Sequence, residues 1–442
     1  MIDNRGNMRF AVPFFFFKLR VLCAISLIGL LFKRRNRARG ASMDKQDIII
    51  IGAGISGLSL AHYCARKGLK TLVIEKSGRV GGTFHSHRFG GDTGEFWLEL
   101  GAHTGYNSYG NFIGLMEDCH VLDSIMSRAK VSFKMLVDDR IKSIPSQLNF
   151  AELLLSAPRI FALKKEGQSI ESYYSKIVGR KNFERVFSPA FSAVICQEAD
   201  KFPADMLFQK RPRRKDIIKQ YTFKGGLQTA TDAIASNRNI GIKTGLTVEK
   251  VSFDGKIFSV ATSGGGFESS MLAVAAPASA AAELLMGAFP ELSRLLSQIR
   301  VAAVDSMGIA IKKEAVKLGA VAGLIPVNDI FYSVVSRDTV PHDRYRGFTF
   351  HFKPGLPKRE PKLERIAEVL GLRVSQLEFI AERENLVPSL RAGHPELITK
   401  VESLLAGNPL YLTGNYFRGV SIEDCVSRSL HEFERLKNSL KH

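Results

Sequence analysis

Gly52, Gly54 and Gly57 stand at GxGxxG spacing, and a lone carboxylate, Glu75, follows 23 residues after the first of them. Each position has a physical task. Gly52 permits a tight turn, Gly54 lets backbone approach a pyrophosphate, and Gly57 lets a helix pack closely on the preceding strand. Ile55 and Ser56 open that helix, where free N–H groups and a partial positive charge favour phosphate. Glu75 can accept hydrogen bonds from ribose hydroxyls, which suits NAD and FAD alike. The next residues separate the two: Lys76, Arg79, Gly81, Gly82 and Thr83 follow directly. Two more glycines let a second backbone segment approach the phosphates, as an elongated flavin dinucleotide requires, so FAD is the expected cofactor.

The elements that must position these residues are legible nearby. Ile48 to Ile51 is continuously apolar and β-branched, which suits a strand buried on both faces of a parallel sheet. Leu58, Ala61 and Ala65 then give a helical period that stops at Gly68, and Thr71 to Ile74 is a second strand ending at Glu75. Strand, glycine turn, helix, strand and terminal acid together predict an α/β dinucleotide-binding unit.

With RVGG in place (Arg79 to Gly82), the sequence resembles the large flavin family of monoamine oxidases, phytoene desaturases and protoporphyrinogen oxidases, in which xxxExxxRxGG after GxGxxG marks an FAD site. Glu99-Leu100-Gly101-Ala102-His103, after a turn at Asp92–Gly94, resembles the family's second flavin-contacting stretch and implies contacts from Gly101, Ala102 and His103. The segment 242–251 resembles the strand whose valine, Val248, sets its backbone against adenine, and 272–277 resembles the adenine-side strand. Near the C-terminus, Tyr411 to Thr413 reads as a strand ending at Gly414 and Asn415. Gly419, Val420, Ser421 and Ile422 then lead into a helix with Glu423 and Asp424 in its first turn. Such a helix start beside a flavin would stabilise negative charge on the reduced ring. Many members carry an acid after the first glycine; this chain has Asn415. Gly393-His394 together with LTGNYFRGVSIEDC is most similar to protoporphyrinogen oxidases.

The resemblance implies an α/β fold: a discontinuous Rossmann-like FAD-binding domain built from 43–105, 215–285 and 385–442, and a mixed α+β substrate domain from 106–214 and 286–384. The first insert reads as mainly helical around Pro158, with a membrane-facing part. The second mixes a helix near 291–299 with strands near 306–311 and 347–352.

The flavin would carry the hard chemistry, which agrees with a chain showing no paired carboxylates or Ser/His/Asp arrangement. The leading expectation is protoporphyrinogen-oxidase-like dehydrogenation of a large, apolar, carboxylate-bearing tetrapyrrole. The strand Ser306 to Lys312 resembles the one on which amine oxidases carry a lysine that holds a water at flavin N5. This makes Lys312 the candidate catalytic residue and amine (polyamine-type) oxidation the alternative, with carotenoid or lipid desaturation behind it. The aromatic pair of amine oxidases is missing, since Arg418-Gly419-Val420 has no ring. From another class stands a flavin-stabilised interaction protein without turnover. No cysteine or histidine lies in 414–419, so the flavin is expected to be non-covalent.

The composition agrees. A 442-residue chain with 45% apolar and 24% charged residues excludes wholesale disorder and fibrous repeats. The net charge of +19 suits an anionic partner: a carboxylated substrate or an anionic membrane surface. The run Lys210, Arg211, Arg213, Arg214, Lys215 is a candidate for either contact. No aromatic-interleaved reader accompanies it, which argues against nucleic acid. Five scattered cysteines without CxxC spacing argue against a disulfide framework or a bound metal and for a reducing, cytoplasmic location, with peripheral contact at the inner membrane surface as the variant. Residues 1–42 carry an apolar run too short to span a bilayer, followed by five basic side chains. They allow three readings: an anchor, a targeting leader, or an extension ahead of a start at Met43.

Overall fold

The computed structural model describes residues 45–355 and 358–441, so the three readings of residues 1–42 fall outside the described residues. Ile48, Ile49 and Ile50 are wholly buried because Gln46–Ile51 lies inside a sheet, parallel to Thr71–Ile74 on one side and to Gly265–Val274 on the other. The strand order is Ile240–Lys243, Thr71–Ile74, Gln46–Ile51, Gly265–Val274, Phe258–Thr262, Val248–Phe253, with Leu410–Leu412 also pairing on Gly265–Val274. That long strand serves three neighbours. Its C-terminal half runs parallel to Gln46–Ile51 and Leu410–Leu412, and its N-terminal half runs antiparallel to Phe258–Thr262.

Helices cover both faces, as a parallel sheet demands. Ile55–Arg66 and Ile422–Ser439 pack on the face of Ile48 and Ile50. Ala278–Leu285, Pro290–Leu296 and His394–Leu405 pack on the face of Ile49 and Ile51.

A second sheet has the order Phe379–Ser389, Arg300–Lys312, Tyr345–Phe352, Phe331–Ser336, Gly323–Pro326, Phe133–Val137, Arg140–Ser143. Tyr345–Phe352 is buried at every position, and the Glu360–Leu370 helix packs its apolar stripe (Leu363, Ile366, Ala367, Leu370) against this sheet. The α/β class with a Rossmann-like sheet is thus present, joined to a second sheet.

Two sequence expectations need correction. The 106–214 insert, expected to be mainly helical, also carries three strands: Ile125–Ser127, Phe133–Val137 and Arg140–Ser143 lie between its first helix, Gly110–Asp118, and the helices that follow. The last two strands form a hairpin through Asp138 and Asp139, both at positive φ (50° and 57°), the geometry of a tight two-residue turn. The segment 242–251 is not one strand either. It breaks into Ile240–Lys243 and Val248–Phe253, at opposite edges of the first sheet. The crossing chain is held beneath Glu75, where Leu246 N–H donates to the Glu75 carbonyl at 3.0 Å.

Candidate cofactor and substrate site

The two glycine loops meet backbone to backbone. Gly81 N–H donates to the Ala53 carbonyl at 2.7 Å, and a Cβ on Gly82, itself at φ 55°, would lie 3.0 Å from Gly54 Cα. The helix that starts at Ile55 has no side-chain cap and no acid in its first turn, so its N-terminal field is open to an anion. Glu75 accepts from Ala53 N–H and Ser77 N–H, both at 2.8 Å, which fixes the carboxylate at the lip of the turn. Arg79 acts inside the loop: its guanidinium donates to the carbonyls of Val80, Gly82 and Phe84 at 2.8–3.0 Å and so shapes the second glycine segment. Thr83 connects onward through its carbonyl, which accepts from Ala102 N–H at 3.0 Å.

The C-terminal segment closes the same region. Ser421 caps the Ile422–Ser439 helix in a reciprocal box with Asp424: Asp424 N–H donates to Ser421 Oγ at 3.2 Å, and Ser421 N–H donates to Asp424 Oδ2 at 3.0 Å. Gly419 (φ 145°) must be glycine, because a Cβ there would lie 2.5 Å from Asp424 Oδ2. Val420, half-buried, and Ile422, buried, flank the cap. Glu423 reaches another helix start, accepting from Asn111 N–H (2.9 Å) and Phe112 N–H (3.0 Å). Ser429 Oγ donates to the Ser56 carbonyl at 2.8 Å and ties the two nucleotide-side helices together. His394, buried, lies with Nε2 2.5 Å from the Tyr416 carbonyl, so it holds the Gly414–Gly419 loop. The side chain of Asn415 makes no hydrogen bond among the described residues.

Next to the loops lies a small, partly open cavity of about 20 Å³. Trp97, Leu98, Val335 and Val340 give it apolar walls; Glu99, His103, Arg128, Thr222, Arg337, Thr339 and Thr349 bring polar groups. Glu99 is buried, and its oxygens accept from Leu227 N–H and Ser86 Oγ, each at 2.7 Å. Burial pushes its carboxyl up to about 7, against the pull of those two hydrogen bonds and of Arg128 and Arg337. Burial, with Arg128 alongside, pushes His103 down to about 3, so this imidazole is neutral at physiological pH. Behind the wall, Asn385 Nδ2 donates to the Leu100 carbonyl (2.8 Å) and to Ser306 Oγ (2.9 Å), leaving its Oδ1 buried without a partner. His351 completes this network against Ser306 Oγ at 2.9 Å, and burial lowers it to about 4.

The structure therefore gathers Gly52, Gly54, Gly57, Glu75, Arg79, Gly81, Gly82 and Thr83 into one cradle and links it to Gly101, Ala102 and His103. Lys76 is exposed beside the cradle, and Val248 opens its strand just beyond the segment held under Glu75.

Lys312 is not part of the arrangement. Gly308 faces Leu98 and Leu100, and Ala310 packs with Phe96 and Tyr345, but Lys312 lies at the strand's exposed end, roughly 13 Å beyond Gly308 at ~3.3 Å per residue. Lys312 is the last residue of the strand, paired with Tyr345, and is exposed. The basic run is also partly engaged. Arg211 pairs with Asp424 at 2.5 Å, and Arg214 pairs with Glu117 and Asp216. Arg128, Thr222, Arg337 and Asn385 carried no signal in the sequence, since they are far apart along the chain and belong to no motif.

Residues 50–119 match the NAD(P)-binding Rossmann-like domain family. The chain is 41% identical over 61 residues to the flavin-dependent L-tryptophan oxidase of Lentzea aerocolonigenes, a stretch covering 14% of this chain and 13% of that protein. It matches only 13–16% of the length of such curated relatives. Similarity in solved structures is far more extensive. A candidate protoporphyrinogen oxidase from an Exiguobacterium species aligns over 90% of this chain and 100% of its own, with a TM-score of 0.74 at 17% identity. The cyclohexylamine oxidase of Brevibacterium oxydans aligns over the same shares with a TM-score of 0.69 at 14% identity. At such identities the likeness is one of fold. The chain thus has the fold shared by flavin amine oxidases and protoporphyrinogen oxidases, with a Rossmann-like dinucleotide unit at its described N-terminal end.

Proposed function

We propose that this chain is an FAD-dependent oxidoreductase acting on a largely apolar, carboxylate-bearing small molecule, protoporphyrinogen-like in its chemistry. One observation carries the reading: a single short segment joins the two sites, with Ala102 N–H bound to Thr83 of the glycine loops and Glu99 and His103 lining the cavity. The residues present fit FAD. Gly54 and Gly82 leave a side-chain-free cradle, Glu75 stands at its lip, and the Asn415 side chain is without a partner among the described residues. When bound, FAD supplies a hydride acceptor. The glycine loops would hold its phosphates, Glu75 its ribose, and the Ile422–Ser439 helix start would favour negative charge. The apolar walls would exclude water and orient the substrate. On this reading the first sheet binds the cofactor and the second shapes the substrate site.

Amine oxidation is the weaker reading, because Lys312 is exposed and two partly buried arginines repel a cationic amine. Contact with an anionic membrane surface is part of the proposal. Phe150, Leu154, Leu155 and Phe161 are exposed beside Arg159 and Lys164, while no helix among the described residues is long and apolar enough to cross a membrane. The test is anaerobic titration of purified yellow protein with protoporphyrinogen, polyamines and polyenes. Bleaching by protoporphyrinogen is expected. Bleaching by polyamines alone would overturn the substrate class, and a flavin that no donor reduces would favour the interaction protein.

A further inference from the structure

We propose that Arg128 and Arg337 form a two-pronged clamp for the carboxylate of the substrate; this rests on the oxidoreductase reading above and names the group by which the cavity selects. The two arginines arrive from different parts of the chain, Arg128 after the Ile125–Ser127 strand and Arg337 from the turn after Phe331–Ser336, and both line the cavity. Neither forms an ion pair among the described residues. Arg337 is stacked over Phe96 and Trp97, with its guanidinium carbon 4.7 and 4.5 Å from the ring centroids. Its one hydrogen bond runs from Nη1 to the Val340 carbonyl at 2.6 Å, and Nε is buried without an acceptor. Arg128 donates to the His103 carbonyl at 3.3 Å and to Thr339 Oγ1 at 3.0 Å. Most of the five N–H donors on each guanidinium are therefore free of protein acceptors.

The carboxyl in the cavity wall, Glu99, does not complete them. Its oxygens are taken by Leu227 and Ser86, and burial keeps it close to half-protonated at neutral pH. Burial also lowers both arginines, Arg337 to about 10, as expected for cations lacking a counter-charge. Thr222 Oγ1 is a further buried group without a partner in the same wall. Leaving such charge uncompensated is costly, and a carboxylate bound by forked guanidinium groups would offset it. The apolar walls call for an acid with an apolar body rather than a bare inorganic anion.

Calorimetric titration of the flavin-loaded protein with benzoate, phenylacetate and 3-phenylpropionate, each against its amide, and with inorganic phosphate tests the clamp. At least one acid should bind about tenfold more tightly than its amide, the scale of a lost charge-assisted hydrogen bond. R128M and R337M should each remove that preference and leave flavin content unchanged. R128K and R337K should restore it in part, since lysine keeps the charge without the fork. T222V, nearly isosteric and leaving both arginines in place, should weaken acid binding severalfold. Equal binding of acids and amides, acid binding indifferent to the arginines, or phosphate bound in preference to every acid would each overturn the clamp. A protein that binds acids through both arginines but holds no reducible flavin would overturn the oxidoreductase reading and keep the clamp. Reducible flavin with arginine-independent acid binding would do the reverse.

Discussion

Glu99 holds a proton well above the ordinary carboxyl range because burial outweighs its two hydrogen bonds and two neighbouring arginines. With the folded value near 7 and the unfolded one near 4.5, the native state binds the extra proton between them. Stability from this group is therefore full below about pH 4.5 and declines as pH rises through 7. Glu99→Gln keeps an acceptor for Leu227 N–H and a donor for Ser86, and it does not ionise. Denaturant unfolding at pH 5 and pH 8 should show the variant gaining about 2 kcal/mol on the parent between the two. Curves that shift in parallel would mean Glu99 is ionised throughout. Gly54→Val makes a complementary statement about the cradle. Gly54 has an ordinary φ of −75°, and a Cβ there would meet only Gly82 Cα, at 3.9 Å. The fold should accept the valine, while the phosphate approach is filled. Flavin per protein should fall at least tenfold with little change in melting temperature; full flavin occupancy would remove the phosphate role from this turn.

At the scale of elements, the charged run 210–215 divides by partner. Arg211 completes the cap of the Ile422–Ser439 helix through Asp424 and lies over the ring of Tyr109, whereas Lys210, Arg213 and Lys215 are exposed. Arg211→Gln should cost about 1 kcal/mol, the scale of a disturbed cap, and neutralising the other three together should leave the melting temperature unchanged. Equal effects would show that Arg211 is as dispensable as its neighbours. The exposed face around Leu155 and Phe161 (80% and 93% exposed) belongs to the same scale. L154E, L155E and F161E together remove apolar area that folding does not bury, so stability should hold while sedimentation with anionic vesicles is lost. Retained sedimentation would move membrane contact elsewhere. Sequence patterning found the buried strands readily, since continuous Ile and Val runs have few other uses. It failed where the chain turns sharply within an apparently uniform stretch: at Asp138-Asp139, and at Gly245, whose φ of 70° ends one strand before the next begins.

Over the whole molecule, what could be read from the sequence was what is local in it. The glycine cradle comes from 52–83, where spacing alone fixes which backbone groups meet. The cavity is assembled from 97–103, 128, 222, 335–340 and 349, and no spacing rule relates those positions before the second sheet is laid against the first. Two buried hydrogen bonds hold that juxtaposition: Asn385 Nδ2 to the Leu100 carbonyl, and Thr349 Oγ1 to the Glu99 carbonyl at 2.8 Å. Both act on adjacent residues of the segment that continues to Gly101 and His103. If that segment is a strut held from two strands, cutting one tie should weaken the other. Asn385→Leu leaves the buried Leu100 carbonyl unpaired and should cost about 2–3 kcal/mol; Thr349→Val should cost about 1 kcal/mol. The double variant should depart from additivity by more than about 0.5 kcal/mol, the range found for residues sharing a network. Flavin should be retained throughout, because neither tie touches the glycine loops. The measurement is a double-mutant cycle by denaturant unfolding. Strict additivity would mean the two strands grip the segment independently, and the cavity could then loosen at one end without disturbing the other.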